Sequence, residues 1–186
     1  MATHVCPWWM GYFLMSPWRR WLQNPEKILG PYIKEGMKIL EIGPGMGFFT
    51  LPIARMVGAD GKVIAVDVQT KMLRSLERRA DKTGLRHRIE TRLCPAASLN
   101  IGDLADTIDF AIAFAVMHEI PDPKAALNDI TVALKAGGIL LISEPKNHVS
   151  DDEFKRTISL ARECGLTETA TPVVRRNYSV SMIKQK

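Results

Sequence analysis

The chain has 186 residues, which sets an expectation of one domain with a three-layer core and leaves no room for a second substrate domain of any size. Its 46% hydrophobic and 24% charged residues are the mix of an ordinary globular protein, without a low-complexity tract or an internal repeat. The net charge of +5 is concentrated between Lys71 and Arg92, where eight Lys or Arg stand against three acids; such a block either grips phosphates or forms a solvated helix face, and no aromatic residues are interleaved with it to stack on bases.

Residues 1 to 23 hold all four tryptophans, Trp8, Trp9, Trp18 and Trp21, beside Tyr12 and Phe13. Aromatics this dense need an apolar surface, which a substrate pocket, a sheet edge or a dimer contact could supply; an interfacial membrane anchor has only Arg19 and Arg20 behind it. The apolar run Val5 to Met15 is cut by Pro7 and has no basic stretch before it, so neither a membrane span nor a signal peptide is expected, and a cytoplasmic location follows. Cys6, Cys94 and Cys164 are odd in number and widely spaced, which excludes a disulfide framework. Asn24 then reads as an N-cap with Pro25 at the first helical position, opening a helix to about Tyr32.

From Ile39 the chain reads I-L-E-I-G-P-G-M-G-F-F-T. A short apolar run suited to a buried parallel strand breaks into a loop with glycine at every second position, and Phe48 to Met56 resumes with helical spacing, Pro52 being tolerated in its first turn. Glycines there admit positive φ and let a ligand approach where a Cβ would collide. Lys62 to Val68 is a second β-branched strand ending at Asp67, about 20 residues past the last glycine, where dinucleotide-type folds place the acid that holds a ribose diol.

Glu41, Gly43, Gly45 and Gly47 match E-x-G-x-G-x-G, and with Asp67 they make this sequence resemble the class I S-adenosylmethionine-dependent methyltransferases. The G-x-G-x-G spacing differs from the G-x-G-x-x-G of nicotinamide binders, whose helix N-terminus faces a pyrophosphate, and favours a cofactor without phosphates. The resemblance implies a Rossmann-like, doubly wound α/β fold: a mostly parallel seven-stranded sheet, the last strand antiparallel, helices on both faces. It implies S-adenosylmethionine as cofactor and S-adenosylhomocysteine as product, with contacts from Glu41, Gly43, Gly45, Gly47, Asp67, Val68, Ala96, Ala97, Ser98 and Phe114. It makes residues 1 to 23 a lid over the cofactor, with His4, Cys6, Trp8 and Trp9 on the substrate side, and residues 24 to 186 the cofactor-binding domain. Where the family has Asp-Ala after its third strand, this chain has Pro95-Ala96, so Ser98 or a backbone carbonyl must hold the adenine.

Helix Thr70 to Lys82, stopped by Gly84, leads to a third strand at Arg88 to Leu93, and Ile108 to Ala115 is the fourth. The next residues, V-M-H-E-I-P-D, resemble the family's L-H-H-I-P-D segment. In open α/β sheets ligands bind beyond the carboxyl ends of the strands, which puts His118 and Glu119 at the mouth of the site as the catalytic candidates. His118 has three open roles: a base, a group that orients the acceptor, or a side chain that satisfies a loop carbonyl. A metal or thiol site built from His4, Cys6 and His118 competes with a buried structural cysteine, and no metal is expected.

Pro123 to Leu134 reads as a helix closed by the turn Lys135-Ala136-Gly137-Gly138, with Ile139 to Ser143 the fifth strand. Ser150 and Glu153 form a capping box for a helix from Asp151 to Cys164. Strands at Thr167 to Val174 and Asn177 to Ile183 close the chain as an antiparallel pair. No inserted recognition domain and no N-P-P-Y or D-P-P-Y segment is present, which favours a small-molecule acceptor over nucleic acid. The competing readings are an RNA methyltransferase using the surface of residues 71 to 92, and a cofactor-binding partner subunit without turnover. Oligomeric state is not legible in the sequence.

Overall fold

The structure, a computed structural model, describes residues 23–185. The expected aromatic lid, with His4, Cys6, Trp8 and Trp9, lies outside the described residues. The chain divides into two compact units, one ending at Cys94 and the other beginning its main run at Pro95.

In the first unit, Asn24 accepts from the Lys27 amide at 3.0 Å and opens α1 (Pro25–Leu29), shorter than its sequence suggests. Then follow β1 (Lys38–Ile42), α2 (Thr50–Met56), β2 (Lys62–Asp67), α3 (Thr70–Lys82) and β3 (Ile89–Leu93). The three strands are parallel, with Ile42 opposite Val66 and Asp67 opposite Leu93, so β1 and β2 end side by side and carry the glycine loop and Asp67 on one edge. Ile39, Leu40, Val63, Ile64 and Ala65 are fully buried, which is why these strands read as continuous apolar runs rather than alternating ones. Arg88 belongs to a 3-10 turn ahead of β3, its guanidinium donating to the Ala54 carbonyl at 3.2 Å.

The second unit holds β4 (Ile108–Phe114), α4 (Pro123–Ala133), β5 (Leu134–Pro145), α5 (Asp151–Glu163), β6 (Leu166–Ala170) and β7 (Asn177–Lys184). Strand β5 runs parallel to β4, and β7 lies antiparallel to both β5 and β6. The capping box at Ser150 and Glu153 is formed. One expectation is corrected: Lys135 to Gly138 do not close a helix. Leu134 is already extended, and the glycine pair lies inside a twelve-residue β5 where the register to β4 shifts between Ile108 and Phe110. Leu134 is fully buried opposite Ile108, and burying that apolar side chain in the sheet outweighs the turn chemistry of the residues after it.

All seven strands belong to one sheet in the order β3-β2-β1-β4-β5-β7-β6, the Rossmann-like arrangement with the last strand antiparallel. No helix among the described residues is long and apolar enough to cross a membrane.

Candidate functional site

The glycine loop follows β1 directly. Gly43, Gly45 and Gly47 all take positive φ, at 67°, 55° and 91°. A Cβ on Gly47 would stand 2.6 Å from Leu76 Cδ1 of α3, so this glycine is fixed by packing. A Cβ on Gly45 would meet nothing within 4 Å; that open space is the cradle over the loop. Asp67, 8% exposed, closes it from the end of β2: Oδ1 accepts from the Gln69 amide at 2.8 Å and Oδ2 from the Gly45 amide at 3.3 Å. A carboxylate at the edge of that cradle is the kind of group that accepts hydrogen bonds from the vicinal diol of a ribose. That cradle and that carboxylate fit a ribose-bearing cofactor.

In the second unit a separate constellation forms where β4 ends. Ala115 takes φ 56°, a left-handed conformation unusual for a residue with a Cβ, and its amide donates to the Ser143 carbonyl at 2.7 Å. A 3-10 turn, Met117–Glu119, follows. Glu144, 1% exposed on β5, holds this turn: Oε1 accepts from the amides of Val116 at 3.1 Å and Met117 at 2.8 Å, and Oε2 pairs with His118 Nδ1. His118 Nε2 therefore faces away from Glu144, with Glu119 Oε1 4.0 Å from it. The His148 ring meets His118 edge-on, centroids 5.7 Å apart. Burial pulls the His118 pKa down, but the hydrogen bond to Glu144 and the charges of Glu144, Glu119 and Glu153 outweigh it, so the net shift is upward from 6.5.

The Glu144 carboxylate thus fixes one imidazole nitrogen of His118, and Nε2 is directed away from it. The sequence profile of the methyltransferase domain family matches residues 33–178. The chain belongs to the methyltransferase domain family. Among solved structures, a SAM-dependent methyltransferase from Aquifex aeolicus superposes with a TM-score of 0.86 at 25% identity, over 97% of this chain and all of that one. Among sequences, the ubiquinone/menaquinone biosynthesis C-methyltransferase UbiE of Cellvibrio japonicus is 33% identical over 121 residues, 63% of this chain and 47% of that protein. The Pasteurella multocida enzyme of the same name is 29% identical over 119 residues, 64% and 44% of the two chains. The methyltransferase domain thus spans less than half the length of these curated relatives.

Of the residues singled out in the sequence, Glu41 is buried at the end of β1, Val68 is exposed just beyond Asp67, and Phe114 is buried at the end of β4. Ala96, Ala97 and Ser98 lie on an exposed loop, where the Ser98 hydroxyl accepts from the Asn100 amide at 3.1 Å and keeps its own proton to donate. Gly43 to Gly47 and Asp67 converge in the first unit, and His118 and Glu119 share a turn in the second. Glu144 escaped sequence reasoning. Its signal was present: I-L-L-I-S-E-P ends a buried strand in an acid, as V-I-A-V-D does at Asp67.

Proposed function

We propose that this methyltransferase domain methylates a small organic acceptor bearing an ionisable hydroxyl, at the oxygen or at the carbon that its deprotonation activates. The observation that carries this reading is the His118–Glu144 pair: a buried carboxylate holding an imidazole is superfluous for an acceptor that arrives deprotonated. Asp67, Gly45 and the exposed Val68 are the groups that would hold S-adenosylmethionine, which would supply a methyl group already activated on a sulfonium. Neutral His118 carries its proton on Nδ1, toward Glu144, and its Nε2 lone pair takes the proton of the acceptor's hydroxyl, leaving the electron pair on that oxygen. Glu144 then stabilises the imidazolium. Positioning and water exclusion supply most of the remaining acceleration, since the leaving group is already activated.

The UbiE relatives act in ubiquinone and menaquinone biosynthesis, and a small-molecule acceptor here is in keeping with that class. The test is calorimetric titration with S-adenosylmethionine, followed by a screen of phenols and enols that reads S-adenosylhomocysteine in the native protein and in His118→Asn. Turnover that survives unchanged in His118→Asn overturns the base assignment; absence of cofactor binding overturns the function.

A further inference from the structure

We propose that His148 is a second catalytic residue of this site: its ring N–H donates a hydrogen bond to the acceptor oxygen while His118 Nε2 takes that oxygen's proton, so that two imidazoles hold one forming oxyanion. The inference rests on the reading of His118 as the base. The two ring centroids are 5.7 Å apart, with the planes at 77°. An oxygen about 2.8 Å from Nε2 and about as far from a His148 nitrogen spans two rings at that separation. His148 is exposed, and among the described residues its ring nitrogens form no hydrogen bond, so its N–H is open to a ligand.

The loop that carries His148 is fixed by its own bonds. The amides of His148 and Val149 both donate to the Pro145 carbonyl at 3.0 Å, and the Lys146 amide donates to the Arg176 carbonyl at 3.0 Å. Val149 is buried, and Ser150 beside it caps α5. The chemistry calls for a donor at this point. An oxygen that gives its proton to Nε2 becomes an anion close to Glu144, Glu119 and Glu153, the carboxylates whose charges act on His118. Those charges oppose it. The amides of Val116 and Met117 are taken by Glu144, and those of Glu119 and Ile120 by carbonyls of the turn, so none of these four can serve the oxyanion. Lys146 is turned elsewhere, its Nζ lying 4.9 Å from the centre of the Tyr178 ring. Imidazole carries one N–H when neutral and two when protonated, so His148 can donate in either state. Its own proton stays in place. The acceptor O–H bond breaks, the proton forms a new N–H bond at His118 Nε2, and the electron pair remains on the oxygen that His148 stabilises.

The experiment uses the full chain saturated with S-adenosylhomocysteine and follows the absorbance of bound 4-nitrophenol, whose anion is coloured, across a pH titration. His148→Phe keeps a flat ring and removes the N–H; at a given pH the ratio of bound anion to bound neutral probe should fall at least about tenfold, and kcat for phenols with S-adenosylmethionine should fall as far with KM within about twofold. His148→Gln, which restores an N–H, should recover part of both. An anion ratio in His148→Phe equal to the native one, a His148→Gln no better than His148→Phe, or a probe that does not bind overturns the proposal. Should His118→Asn abolish ionisation of the bound probe while His148→Phe leaves it intact, the base reading stands and this one falls. S-adenosylmethionine binding, titrated alongside by calorimetry, separates either failure from that of the methyltransferase reading itself.

Discussion

Glu144 holds His118 from 26 residues away in the chain, and the same carboxylate ties down the two amides that precede that histidine. One buried side chain therefore sets the path of the turn, the orientation of the ring and its tautomer. Three donors converge on a group 1% exposed, which is what an ionised carboxylate requires in order to stay charged away from water. The left-handed Ala115 next to it is a conformation that costs of order 1–3 kcal/mol, and these hydrogen bonds are what maintain it.

Glu144→Gln separates the two duties. The amide oxygen can still accept from Val116 and Met117, but the amide nitrogen then faces His118 Nδ1 and favours the tautomer whose proton is on Nε2. Turnover of an acceptor that needs deprotonation should fall at least about 100-fold, with S-adenosylmethionine affinity unchanged. Glu144→Ala should in addition unfold earlier in urea, because each stranded amide costs about 1–3 kcal/mol. Equal stability of the two variants would show that Oε1 does not hold the turn.

The raised pKa of His118 gives a pH dependence with a defined sign. The base works only when neutral, so kcat/KM should rise with pH through an apparent value above about 6.5, the unperturbed histidine. Stability moves the other way. A group whose folded pKa is raised contributes most below its unfolded pKa, and that contribution is lost as pH rises through the folded value. Melting curves of the native chain and of His118→Gln should therefore differ most at about pH 6 and converge in the alkaline range; a constant difference across pH would refute the charged pairing with Glu144.

Much of this was legible in the sequence, for identifiable reasons. Buried parallel strands leave unbroken β-branched runs, so β1, β2 and β4 stood out, and α3 was readable from residue to residue because its apolar stripe and the glycine after it agree. The loop at Gly43 to Gly47 was legible because positive φ and close approach demand one residue type. The His118 partner was not. Adjacency in sequence pointed to Glu119, but neighbours in a tight turn point in different directions, and the contact to Glu144 depends on how β5 is registered beside β4. The start of β5 failed because Lys135 to Gly138 carry turn chemistry inside a strand whose first residue is held by burial.

The glycine loop predicts two different failures from one kind of substitution. Gly47→Ala forces a Cβ into Leu76 at φ 91° and should destabilise the fold by roughly 1–3 kcal/mol, read as a lower urea midpoint. Gly45→Ala meets no neighbour, so its cost to stability should be smaller, about 1 kcal/mol, while the new methyl group occupies the cradle and weakens cofactor binding. Asp67→Ala should weaken that binding at least about tenfold. The reverse pattern, with Gly45→Ala binding normally, would move the cofactor away from this loop.

The basic stretch from Lys71 to Arg92 is not one surface, and this bears on nucleic acid as an acceptor. Arg86 pairs with Glu77 at 3.1 Å and donates to the Ile89 carbonyl at 2.6 Å, Arg88 reaches the Ala54 carbonyl, and Arg92 pairs with Glu90 at 2.7 Å. Those three cations are engaged within the fold. Lys71, Arg74 and Arg78 of α3 line a groove with Met46 and Ser75, but Glu77 and Asp81 line it too, which weakens its field. The double variant Arg74→Glu with Arg78→Glu should accordingly leave cofactor affinity and small-acceptor turnover within about twofold, as expected for solvated charges. Arg86→Ala should instead lower stability by about 1 kcal/mol by stranding its partners. RNA binding by the native chain should be weak and change little in the double variant. An affinity that falls steeply with salt in the native chain, and loses that slope when Arg74 and Arg78 are reversed, would count phosphate contacts on α3 and make RNA the acceptor.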